Sequence, residues 1–150
     1  MGNLLKKQHV GGWFLLIAAI AGIVGVIAML VSNGYSSAYA LKGTPMLVLM
    51  GIGGVLLCLV AMWTPTLLGN HDVVSTFAIL GAVALFSAVM GSMILSRILM
   101  VAGLFSYNSQ NATGWSVFYA RVVSAAAFVA ADLILVIGAC LPSVRKSAAK

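Results

Sequence analysis

The chain has 150 residues, of which 63% are apolar and only 7% are charged, and its mean hydropathy is +1.15. Because ordinary soluble domains carry about 25% charged residues, this composition excludes a water-soluble globular domain. The net charge of +6 is concentrated at the two chain ends and is not part of a basic stripe with interleaved aromatic residues, so we expect no nucleic-acid binding.

The apolar residues fall in four long blocks, and each block matches or exceeds the roughly 20 residues that cross a bilayer. The first covers about residues 11–32 and contains no charge, and the second covers about 45–63. We expect the second to end at the helix-breaking pair Thr64-Pro65. The third covers about 73–105 and the fourth about 115–141, and all four form one domain.

Short polar connections join the four blocks, at about residues 33–44, 65–72 and 106–114. Connections of this length favour antiparallel neighbours, so the sequence predicts an all-α integral membrane protein, an up-down-up-down bundle of four transmembrane helices. Lys and Arg accumulate at both chain ends, and the positive-inside rule then places both termini in the cytoplasm. The compactness and short loops favour a bacterial inner (plasma) membrane.

Three charged residues lie within the predicted spans, namely Arg97, Arg121 and Asp132. A charge at the centre of a bilayer costs about 2.5 to 3.5 kcal/mol on insertion scales, so each of them requires a physical reason. Arg97 and Arg121 lie at similar depths on successive helices and can face one cavity or each other. For Arg121 we expect the side chain to snorkel to the headgroups. Together the two arginines would attract anions in an outer vestibule or anchor headgroup phosphates.

Asp132 lies near the middle of the fourth span and is too short to snorkel. It must therefore be protonated, hydrogen-bonded, paired or hydrated. Arg121 is eleven residues away, about 16 Å along a helix axis, which is too far for a direct pair. We expect the partner of the Asp132 carboxyl group to be Arg97, Ser87 or Ser92 on another helix, or a residue of a different protein.

Residue types that usually carry catalysis are scarce in this sequence. The chain has no Glu and only two carboxylate side chains, Asp72 and Asp132. The isolated Cys58 and Cys140 are expected to be small buried hydrophobic residues. The segment Asn70-His71-Asp72 is a poor metal-binding set and is expected to be a solvated turn. We therefore expect no enzyme, no cofactor and no metal.

Small residues with a spacing of four are frequent in the spans, for example Ser87 and Gly91, and such pairs allow helices to approach closely in lipid. We expect them to serve mainly packing within one bundle. The leading hypothesis is a small membrane protein without catalysis of its own, a subunit or accessory of a membrane assembly such as a transport system. Its partners would be the lipid bilayer and other membrane subunits or further copies of the chain. The alternative is a homo-oligomeric channel or transporter for a small solute or anion, with Arg97, Arg121 and Asp132 along its path.

Overall fold

The computed structural model describes residues 10–35, 41, 43–68 and 73–141, and every regular element within them is helical. The helices are α1 (Val10–Gly34), α2 (Thr44–Leu68), α3 (Val73–Leu95), α4 (Ile98–Ser106) and α5 (Ala112–Ala139). Four of them, all except the short α4, are long and apolar enough to cross a membrane. This result supports the membrane-embedded, multi-pass class that the sequence predicts.

The four long helices surround one core. Helix α1 packs against α2 and α5, and α3 packs against the same two helices, while α4 has only a small contact with α5. The core centres on two phenylalanines that are fully buried, Phe86 of α3 and Phe128 of α5, whose ring centroids are 5.5 Å apart. Because lipid is as apolar as these side chains, tight packing rather than the hydrophobic effect stabilises such a core.

Glycines of α1 and α2 make room for the two phenylalanine rings. A Cβ atom on Gly54 would lie 2.5 Å from the Phe86 ring, and one on Gly22 would lie 2.6 Å from the same ring. A Cβ atom on Gly25 would lie 2.9 Å from the Phe128 ring. The small residues of α1 and α2 thus serve packing inside the bundle, as the sequence analysis expected.

Helix α2 does not end at Thr64-Pro65, so the predicted boundary was wrong by one turn. The helix continues through Pro65 to Leu68. Proline has no N–H group and leaves the carbonyl of the residue four positions earlier without its helical donor. Here that carbonyl belongs to Ala61, and it accepts a hydrogen bond of 3.0 Å from the hydroxyl of Ser75 on α3. A neighbouring helix therefore supplies the donor that Pro65 lacks.

The third span is not the single helix over about 73–105 that we expected. Helix α3 ends at Leu95, and α4 begins at Ile98. Arg97 lies between them with φ −132° and ψ 9°, outside the helical region. The Ser96 hydroxyl donates to the Met93 carbonyl at 3.0 Å, a local bond that competes with helical backbone bonding. The first, second and fourth spans otherwise follow the predicted blocks to within a few residues at each end, apart from the extension of α2.

Several sequence predictions fall outside the described residues. They concern the basic residues at both chain ends, most of the first connection and the Asn70-His71-Asp72 segment.

Candidate functional site

Arg97 owes its position to the break between α3 and α4. Its N–H donates to the Ile94 carbonyl at 3.1 Å, and its own carbonyl accepts from Val101 N–H at 3.0 Å, the bond that opens α4. Within a bilayer, backbone that leaves the helical path is tolerated where it is buried in protein or lines a cavity. The side chain of Arg97 lines a cavity here.

Arg121 projects from α5 into the protein, and only 7% of its surface is exposed. The snorkelling expectation for this residue was therefore wrong. Its Nη2 donates to Oδ1 of Asn33, at the end of α1, over 3.3 Å. The partner is a neutral amide, so this bond orients the guanidinium without neutralising it.

Asn33 links Arg121 to the first connection. Its Oδ1 also accepts the backbone N–H of Leu41 at 3.1 Å, and its Nδ2 donates to the Thr44 hydroxyl at 3.3 Å. The Thr44 hydroxyl in turn donates to the Leu41 carbonyl at 2.7 Å. In the sequence, Asn33 is the first residue of a predicted polar connection. Its position directly after an apolar block was the only signal that it closes a span and meets a buried charge.

The two arginines face one cavity, as the sequence analysis allowed. It has a volume of about 440 Å³ and lies between the α3–α4 break and α5. Arg97 and Arg121 are close enough for their positive charges to interact unfavourably. The remaining walls are apolar and consist of Met93, Ile94, Ile98, Met100, Val101, Ala102, Phe118, Val122 and Ala125.

Four aromatic side chains form a cluster where α4 and α5 come together beside the cavity. Trp115 and Phe118 each contact Phe105, Tyr119 and one another, with ring centroids 5.0 to 5.9 Å apart. Trp115 also donates its indole N–H to the Ser109 carbonyl at 2.7 Å. Phe118 belongs both to this cluster and to the cavity wall, a role that its place in the sequence did not indicate.

Asp132 lies apart from the two arginines. Its Oδ2 accepts a hydrogen bond of 2.8 Å from the Ser87 hydroxyl on α3, one of the partners that the sequence analysis considered. Its Oδ1 is buried. The three charged candidates therefore form two separate sites: an arginine cavity, and a Ser87–Asp132 pair where α3 meets α5.

Cys58 is fully buried, as the sequence analysis expected for a small hydrophobic residue, whereas Cys140 at the end of α5 is exposed. In the part of the chain that the structure describes, no three His, Cys, Asp or Glu side chains come together in a way that would hold a metal ion.

Comparisons with models of protein families, with characterised proteins and with solved structures gave no match to this chain. The class of protein therefore rests on the fold itself, which is compatible with a multi-pass membrane protein.

Proposed function

We propose that the protein is a non-catalytic subunit or accessory of a larger membrane assembly, such as a transport system. The observation that carries this proposal is the surface formed by Ser87, Gly91 and Asp132, here called the α3 notch. A Cβ atom on Gly91 would meet nothing within 4 Å, whereas one on Gly54 would collide with the core. Another helix could therefore pack closely against the bundle at Gly91, where the bundle itself leaves space open.

The chemistry of the α3 notch suits a partner helix in lipid. Ser87 is exposed, and Asp132 beside it is half-buried. Small residues let two helix backbones approach closely, and polar side chains then form hydrogen bonds between the helices. Placing a charged carboxyl group near the centre of a bilayer costs about 2.5 to 3.5 kcal/mol on insertion scales. A partner helix that donates hydrogen bonds to Asp132 would reduce that cost.

The arrangement in the membrane forms part of the proposal. Helices α1 and α5 meet near Gly11 and Gly138 at one end and at Asn33 and Arg121 at the other. These pairings run in opposite chain directions and support the up-down-up-down topology. Four spans return the chain to its starting side, and the basic chain ends favour the cytoplasm as that side. We place the protein in a bacterial inner membrane and assign it no cofactor and no nucleic-acid partner.

The test is native mass spectrometry of the protein extracted gently from its own host membrane, with Gly91→Leu as the variant. The added side chain fills the α3 notch, so a complex with another membrane protein present in the wild type is expected to be lost. Ala130→Leu is the matched control, because Ala130 is exposed on α5 about 160° around the helix from Asp132. A wild-type protein that leaves the membrane only as a monomer would contradict the proposal.

A homo-oligomeric channel or transporter is the second candidate, and the shared cavity of Arg97 and Arg121 favours it. One four-helix chain encloses little space, so a path would form between protomers. Under this alternative, liposomes that contain the protein alone conduct a small anion, and Arg97→Ala weakens anion selectivity. Asp132→Asn also changes the flux. Under the subunit proposal these liposomes show no flux, and Asp132→Asn changes only partner retention or protein level.

A further inference from the structure

We propose that the arginine cavity binds one anionic phospholipid from the surrounding bilayer. The phosphate would lie with the guanidinium groups of Arg97 and Arg121, and one acyl chain would lie along the apolar wall. This site is separate from the α3 notch, so lipid binding here can be tested independently of the proposed function.

The electrostatics of the cavity favour an anion. Two positive charges face the same space, and in a medium of low dielectric constant they repel each other more strongly than in water. An anion placed between them converts this repulsion into two attractive contacts. Guanidinium groups form short, charge-assisted hydrogen bonds with phosphate oxygens. The bond from Arg121 to Asn33 fixes the orientation of one guanidinium before a ligand arrives.

The helix break adds to the positive electrostatic potential in the cavity. Helix α4 begins at Ile98, whose side chain lines the cavity. The first turn of a helix carries partial positive charge and commonly binds phosphate. The break therefore brings the start of α4 to the wall that also carries Arg97.

The shape of the cavity favours a lipid over a small soluble anion. Its rim residues Ile94, Ile98 and Val122 are each about half exposed on the outer surface of the bundle. A lipid can therefore enter sideways from the bilayer. The volume of about 440 Å³ falls within the range of about 300 to 1,000 Å³ that is usual for ligand sites. Apart from the two arginines, every side chain in the wall is apolar, which suits a hydrocarbon chain.

The depth of the two arginines suits a headgroup drawn slightly inward. Arg97 lies nine residues before Ser106 at the end of α4, and Arg121 lies nine residues after Ala112 at the start of α5. Measured along the helix axes, both residues are thus about 14 Å from the end of the bundle where α4 ends and α5 begins. Helix α5 has 28 residues and spans about 42 Å, which exceeds the ~30 Å hydrocarbon layer, so part of that distance lies in the headgroup region.

The test is native mass spectrometry of the purified protein, titrated in detergent with phosphatidylglycerol or with phosphatidylcholine of identical acyl chains. We expect one phosphatidylglycerol to bind at least about fivefold more tightly, since each basic residue near an anionic headgroup contributes about 1 kcal/mol. Arg97→Gln should lower the affinity for phosphatidylglycerol about fivefold. Arg145→Gln, which removes the same charge near the end of the chain, should leave the affinity unchanged.

A second pair of variants tests the apolar wall without changing charge. Ala125→Leu narrows the cavity and should weaken phosphatidylglycerol binding, whereas Ala126→Leu adds the same bulk to an exposed neighbour outside the cavity and should not. This pair decides the question if Arg97→Gln lowers the thermal unfolding midpoint. Equal affinity for the two lipids would overturn the proposal, as would equal effects of Arg97→Gln and Arg145→Gln. Displacement of the bound lipid by glycerol phosphate at equal concentration would also overturn it, because the site would then take a free anion.

Discussion

Gly54→Ala provides a stringent test of how the bundle core is packed. In an exposed helix this substitution normally stabilises, by roughly 0.5 to 1 kcal/mol, because alanine is the better helix former. In this protein the new Cβ would lie 2.5 Å from one carbon of the Phe86 ring and 2.8 Å from the next. Ordinary contact begins near 3.4 Å, so the ring must move by about 0.9 Å.

Phe86 has little room for such a movement. Gly22 packs closely against the same ring, and Phe128 lies at a centroid distance of 5.5 Å. Overpacking of a filled core costs about 1 to 3 kcal/mol, which outweighs the gain in helix propensity. We therefore expect Gly54→Ala to destabilise the protein by about 1 kcal/mol, the difference between the midpoints of these two opposing ranges.

The assay is reversible unfolding in mixed micelles of mild detergent and dodecyl sulfate, followed by circular dichroism or tryptophan fluorescence. Gly91→Ala is the matched control, because it changes a transmembrane glycine in the same way and meets nothing within 4 Å. It should be neutral or slightly stabilising. The double variant Gly54→Ala with Phe86→Leu should show favourable coupling of at least about 0.5 kcal/mol, because the smaller side chain relieves the collision. If Gly54→Ala is as stable as Gly91→Ala, the close packing at Phe86 is refuted.

Three further substitutions test polar contacts in the same unfolding assay. Ser75→Ala should destabilise by about 0.6 kcal/mol, the average for a side-chain hydrogen bond between membrane helices. The loss should be much smaller in a Pro65→Ala background, because residue 65 then has its own N–H donor for the Ala61 carbonyl. An equal loss in both backgrounds would contradict the proposed role of Ser75 in α2. Asn33→Ala should destabilise by about 1 to 3 kcal/mol, since it removes the hydrogen bonds of Asn33 with Arg121, Leu41 and Thr44 together, and Asn33→Gln should not restore the lost stability. Ser124→Ala should cost about 0.6 kcal/mol by removing the 2.7 Å bond to the Gly25 carbonyl, whereas Ser116→Ala, at an exposed site within the same helix, should cost nothing measurable.

The sequence by itself determined the number and approximate position of the four candidate membrane spans that the structure describes. Both depend on local properties, namely the length of each apolar block and the scarcity of charge within it, and these need no knowledge of neighbouring helices. The candidate list of intramembrane charges, Arg97, Arg121 and Asp132, followed in the same way, because a charge in an apolar block is visible in the sequence.

The contacts of those residues were decided only by the tertiary structure. Periodicity could not show that Arg121 turns inward to Asn33, since that depends on how α1 and α5 pack over a separation of 88 residues. Pro65 by itself predicted the end of α2. The helix continues past it, and Ser75 on another helix donates to the Ala61 carbonyl that Pro65 leaves without a backbone donor. The break at Arg97 could not be predicted from a helix-breaking residue, because no Gly or Pro lies between residues 93 and 100. Local sequence thus fixes where a helix can cross the membrane, whereas its polar groups are satisfied by partners that only folding brings near.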